Sequence, residues 1–297
     1  MFKSVLFLAL FLCVNGIQKY NPRRAGYCSK RCNTNVKATG CICKLLGAKT
    51  ELLDNMVEFR QVIVDEHNYY RNLVASGNET RGFTKAAADM MIMNYDMELE
   101  FLARCHARYT FRANHDRCKV LKNCRKAVQN IAGYGAKNES LKMVKELIRL
   151  WYDQVKDMQE DNYLNYPRKN KSIKIENYAT MCWGSANIVG CARVYSSDTK
   201  EDKYINPNYN TALICDYAMK DIKGNMLFGK PMYTQGPPCS KCPKKKKYNK
   251  CNTKYTSLCG ELETVPTDKP FDFKSRAPKH KSIPIVIFIA LFEVCLF

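Results

Sequence analysis

The chain has 297 residues, a net charge of +20 and 16 cysteines. That length holds one domain of roughly 150–200 residues plus appendages, and so many cysteines exclude the cytosol in favour of an oxidising compartment. A secreted, disulfide-rich chain meets little nucleic acid, so the charge points instead to acidic lipids, sulfated glycans or anionic cell surfaces.

Residues 1–16, MFKSVLFLALFLCVNG, carry an early Lys, an apolar run and a small residue at the end, the pattern of a secretory signal peptide. Three glycosylation sequons, at Asn78, Asn138 and Asn170, fit the same route. Residues 17–50 hold Cys28, Cys32, Cys41 and Cys43 with almost no apolar periodicity, so disulfides must order them. A local Cys28–Cys41 bridge is expected, with Cys32 and Cys43 tied into the body of the domain.

From Met56 to Ala75 apolar residues recur at three-to-four spacing, which predicts a helix ended by Gly77. His67 lies in it without a second ligand at i+4 and reads as a structural histidine. Asp89–Asp96 reads as a short strand with Met91 and Met93 alternating, and Glu98–Phe111 as a second helix. Ser140–Met158 is strongly amphipathic, with Ser140 as its N-cap. Glu176–Cys191 reads as two strands: Tyr178, Met181 and Trp183 in the first, a turn at Ser185–Asn187, then a strand resumed at Ile188. Thr211–Ala218 supplies a further strand around Cys215. Short strands alternating irregularly with helices argue for α+β and against a Rossmann sheet.

Several stretches together resemble one family. In order they are His67-Asn68-x-x-Arg71, Asn94-Tyr95-Asp96-x-Glu98-Leu99, His115-Asp116-x-Cys118, Gln129-Asn130-Ile131-Ala132 and Trp151-Tyr152-Asp153-Gln154. Tyr178-x-x-Met181-x-Trp183 and Gly190-Cys191 complete the set. The chain resembles the CAP superfamily of cysteine-rich secretory proteins, insect antigen 5 and plant pathogenesis-related proteins. Tyr27 with Cys28-x-x-x-Cys32, and Gly236-Pro-Pro-Cys239-Ser-Lys-Cys242-Pro with Cys251 and Cys259, are similar to the insect venom and salivary antigen 5 branch. The resemblance spans residues 27–260. It implies a three-layer α-β-α sandwich with a shallow cleft, and a Cys191–Cys215 disulfide with Cα atoms about 4.4–6.8 Å apart. The domain plan is then a signal peptide (1–16), a Cys-rich N-terminal segment (17–50), a CAP domain (51–228), a Cys-rich hinge (229–262), a linker (263–282) and an apolar tail (283–297).

The family's cleft commonly holds two His and two acidic residues that bind a divalent metal in some members. The corresponding positions here are His115, Gln129, Gln154 and Asn177. One imidazole and three neutral amides make a poor zinc set, so neither metal, cofactor nor catalysis is expected. Cys182, an added cysteine, has Cys105 and Cys124 as candidate partners. Only His67, His106, His115 and His280 could serve a hydrolase, and neither a nucleophile elbow nor HExxH occurs. Four hinge cysteines suffice for the hinge but not for the further module of channel-directed relatives. The expected function is therefore a secreted, non-catalytic binding protein that sequesters a lipid, sterol or other small apolar ligand, or contacts an anionic glycan, a membrane surface or a host protein. The tail, Ile283–Phe297, is shorter than the ~20 residues of a bilayer-crossing helix. It fits a GPI-attachment signal better, with small residues near Ser275–Ala277.

Overall fold

The computed structural model describes residues 20–32, 35–109, 115–166, 174–197, 210–220 and 230–274. The signal-peptide region, the sequon at Asn170 and the apolar tail lie outside them. The helices are α1 (Met56–Ala75), α2 (Met97–Tyr109), α3 (Leu141–Tyr152), α4 (Glu160–Leu164) and α5 (Glu176–Met181). The strands are β1 (Lys49–Glu51), β2 (Asn94–Tyr95), β3 (Val128–Tyr134), β4 (Ile188–Ser196) and β5 (Thr211–Ala218).

The strands form one sheet in the order β1-β4-β5-β3, antiparallel throughout, with β2 added to β4 in parallel. Gly190 brings α2 onto the sheet: a Cβ there would lie 2.2 Å from the Glu100 amide nitrogen. Ala103 and Ala107 of α2 then pack on Ala192, Val194, Ala212 and Ile214. The opposite face carries Val189, Leu213 and Tyr217, in one core with Phe59 and Ile63 of α1, Trp151 of α3 and Tyr178 of α5. The result is the α-β-α order expected.

Cys191 and Cys215 face each other in register and are bonded, with Cα atoms 4.1 Å apart. That is slightly closer than expected, since a directly opposed cross-strand pair approaches about 4.5 Å. Cys28–Cys41 closes the N-terminal segment, and Cys32–Cys118 and Cys43–Cys105 tie it to the domain. Cys239–Cys251 and Cys242–Cys259 staple the hinge. Cys105 and Cys124 are both disulfide-bonded, so neither pairs with Cys182, which is free and buried. Burial pushes the Cys182 thiol up to about 12 and keeps it protonated.

Two expected strands are corrected. Glu176–Met181 is helix α5, because Tyr178, Ala179 and Met181 are all buried and a capping contact from Gln154 starts the turn. Of Asp89–Asp96 only Asn94–Tyr95 is strand; Met90, Met91, Ile92 and Met93 are buried without alternation. Arg71 explains both. Fully buried, it donates six hydrogen bonds to five carbonyls: Met91, Met181, Trp183, Gly184 and Ala186. A buried cation is costly unless so saturated, and saturating it pulls both segments onto α1.

The expected linker begins as an ordered strap. Arg60 donates to the carbonyls of Pro266 and Asp268, and Arg104 to that of Phe271. Phe271 and Phe273 pack on Phe101, with the Arg108 guanidinium 4.2 Å from the centre of the Phe273 ring.

Candidate functional site

The four cleft positions come together as two pairs astride β3, an edge strand of the sheet. Alternation along β3 places Gln129 on the α2 side, opposite Asp216 of β5. Gln129 accepts a hydrogen bond from the Asp116 backbone N–H (2.9 Å) and donates to Asp216 Oδ1 (2.9 Å). Its amide therefore spans from the 115–118 loop to the sheet. His115 hydrogen-bonds to the same Gln129 side chain, and burial followed by the nearby Lys119 ammonium lowers its pKa. The residue as a whole is exposed.

Asn130 faces the other way and donates to the Asn177 carbonyl (2.9 Å). There Gln154 supplies the cap that no local residue offers α5: its Oε1 accepts from the N–H groups of Asn177 (2.9 Å) and Tyr178 (3.3 Å). Helix starts leave such donors without intrahelical partners. Gln154 thus holds α5 as Gln129 holds the 115–118 loop. His67 is structural, as expected: one ring nitrogen bonds the Ile63 carbonyl and the other the Tyr217 hydroxyl.

Sequence reasoning missed the carboxylates beside Gln129. Asp216 is completely buried, and Asp116 nearly so; each leaves its Oδ2 without a hydrogen-bond partner. Burial first, and the Asp116 charge second, push Asp216 up to about 8, so it holds a proton at neutral pH. Thr39 donates its hydroxyl to Asp116 Oδ1 (2.5 Å), and the Cys118 N–H donates to the same oxygen. Both acids are buried beside Gln129. The only signal in the sequence is an acid alternating inward in a strand otherwise apolar from Ala212 to Ala218.

The donor set fits zinc poorly. The amide oxygens of Gln129 and Gln154 are already engaged by backbone N–H groups, and the His115 imidazole, itself bonded to Gln129, is the one strong zinc ligand type among the four. In the hinge the sulfurs of Cys239, Cys242 and Cys259 lie within 4.8 Å of one another, but disulfides hold all three. Of the sequons described, Asn78 is exposed after α1, whereas Asn138 accepts from the N–H and hydroxyl of Ser140. Ser140 in turn caps α3 by accepting from the Met143 N–H. A separate cavity of about 350 Å³ opens between the N-terminal segment and the strap, walled by Tyr27, Phe101, Phe271 and Phe273. Among the described residues, no helix is long and apolar enough to cross a membrane.

Comparison with known proteins places this geometry. The sequence profile of the CAP, cysteine-rich secretory protein, family matches residues 64–217. Venom allergen 5 of Polistes dominula is 36% identical over 183 residues, covering 60% of this chain and 73% of that protein. The crystal structure of Na-ASP-1 superposes with a TM-score of 0.52 at 25% identity, over 68% of this chain but only 47% of that one. The crystal structure of NaASP2 with Zn2+ gives a TM-score of 0.51 at 26% identity, over 70% of this chain and 98% of that one.

Proposed function

The chain belongs to the CAP family of cysteine-rich secretory proteins, and from that premise we propose that it is a secreted, antigen 5-like binding protein without catalytic activity. The observation that carries this reading is the use of the cleft amides. Gln129 and Gln154 spend their oxygens on the N–H groups of Asp116, Asn177 and Tyr178, so these two side chains hold backbone instead of facing a substrate. A general base must reach the proton it removes, and the buried Asp116 and Asp216 do not. NaASP2, a solved relative, was crystallised with Zn2+; three of the four cleft positions here are carboxamides, a poor zinc set, which supports the metal-free reading.

The aromatic cavity beside the strap supports a small apolar ligand. The rings pack on one another and form one wall of the cavity, an apolar surface on which a small ligand can lie. Native mass spectrometry of the protein secreted from insect cells tests this: a co-purifying apolar species is expected, reduced in Phe271→Ser. A ligand-free protein that turns over ester or peptide substrates, and loses that activity in His115→Ala, would overturn the reading.

A further inference from the structure

Residues 244–254 read Lys-Lys-Lys-Lys-Tyr-Asn-Lys-Cys-Asn-Thr-Lys, and the hinge folds this run into a trough. Cys239–Cys251 and Cys242–Cys259 close its base. The returning segment is laced to the lysine run by Glu261 N–H to the Lys247 carbonyl (3.1 Å), Gly260 N–H to the Lys250 carbonyl (2.8 Å) and Asn252 N–H to the Leu258 carbonyl (2.7 Å). Tyr248 and Leu258 are buried beneath, which turns the lysines outward. The concavity measures about 440 Å³, and Lys246, Lys247, Lys250 and Lys254 line it.

Two of these lysines have carboxylate partners, Lys247 with Glu263 and Lys254 with Asp65 (2.7 Å). Lys246 and Lys250 are exposed and make no ion pair among the described residues. Glu261 is the one acid in the wall. Exposed ion pairs are weak, so a stronger polyanion displaces Glu263 and Asp65 at little cost.

We propose that this trough binds sulfated glycosaminoglycan chains. Disulfide bracing fixes the lysine backbone in advance, which lowers the ordering cost of binding, and ammonium groups spaced along a groove match an anion repeated along a polymer. A membrane fits less well: the large apolar side chains exposed among the described residues all lie outside the hinge, so nothing there inserts between lipids. Nucleic acid fits less well too, because Tyr248 and Tyr255 are buried and offer no ring for bases to stack on. The site is independent of the cleft and of the aromatic cavity.

The test is surface plasmon resonance of the whole secreted chain on an immobilised heparin dodecasaccharide, across a salt series. Lys246→Gln/Lys250→Gln should weaken binding at least about tenfold at 0.15 M salt and lower the log–log salt slope by about two, by the counterion-release logic of polyanions. An equal change of charge elsewhere, Lys142→Gln/Lys156→Gln, should cost less than about twofold, and a desulfated dodecasaccharide should lose most of the affinity. Unaltered thermal unfolding shows that both variants fold. Equal losses in the two variants, undiminished binding by the hinge variant, equal binding of the desulfated chain, or preference for phosphatidylserine vesicles would each overturn the proposal.

Discussion

The two halves of the cleft solve one problem with different chemistry. On the Gln154 side an amide oxygen meets two backbone N–H groups at the start of α5, and no charge is involved. On the Gln129 side an amide lies between a loop N–H and a buried acid, Asp216, whose second oxygen has no partner. A neutral amide can therefore replace a charged group wherever its task is to hold backbone. Where a carboxylate persists without solvent or a bonded cation, burial keeps its proton on. The first half is satisfied at every pH; the second stores a penalty that appears as pH rises.

The largest expected effect comes from removing that penalty. Asp216 has a folded pKa of about 8 against an ordinary 3.8. Its cost is absent below the unfolded value and grows as pH climbs towards the folded one. At 1.36 kcal/mol per unit this reaches up to about 4 kcal/mol at pH 7. Asp216→Asn should stabilise the protein by up to that amount at pH 7 and hardly at all near pH 4, read by urea unfolding across pH.

The next residue along β5 sharpens the contrast from the other sheet face. His67, bonded to the Tyr217 hydroxyl, has its pKa lowered to about 4 by burial. Its contribution is present above 6.5 and lost as pH falls through that window, by up to about 3 kcal/mol. In His67→Gln the acid limb of the stability curve should flatten. The two residues thus act with opposite slopes over the same range.

Gln129→Glu puts a carboxylate where an amide N–H now reaches Asp216, and should cost about 2 kcal/mol at pH 7. In an Asp216→Asn background the new amide can donate to Glu, and most of that cost should vanish; a double-mutant cycle reads the coupling. Gln154→Ala should cost about 1–2 kcal/mol, as loss of an N-cap does. Chemical denaturation should show it with no dependence on pH between 4 and 8.

Elements built from local pattern were legible in the sequence. Met56–Ala75 and Thr211–Ala218 are found at those boundaries, and Ser140 caps its helix. Elements built by distant side chains were not. Ile175 offers α5 no cap, and the residue that does so, Gln154, lies 23 positions before the Asn177 N–H that it holds. With Tyr178, Ala179 and Met181 buried together, hydrophobic alternation could not separate helix from strand. The Met90–Met93 stretch and the strap depend likewise on Arg71, Arg60 and Arg104, each of which collects carbonyls from far along the chain. In the site, motif order named His115, Gln129, Gln154 and Asn177, and the structure joins His115 to Gln129 and Gln154 to the Asn177 backbone. Asp116 and Asp216 were not seen as partners of Gln129, because strand register alone brings Asp216 opposite it.

Zinc titration calorimetry tests most directly whether the cleft is scaffold. The unmodified protein should give no cleft-dependent heat, whereas Gln129→Glu/Gln154→Glu/Asn177→His should gain a signal by putting two carboxylates and a second imidazole at the cleft positions. Tight zinc binding by the unmodified protein, abolished in His115→Ala, would contradict the account.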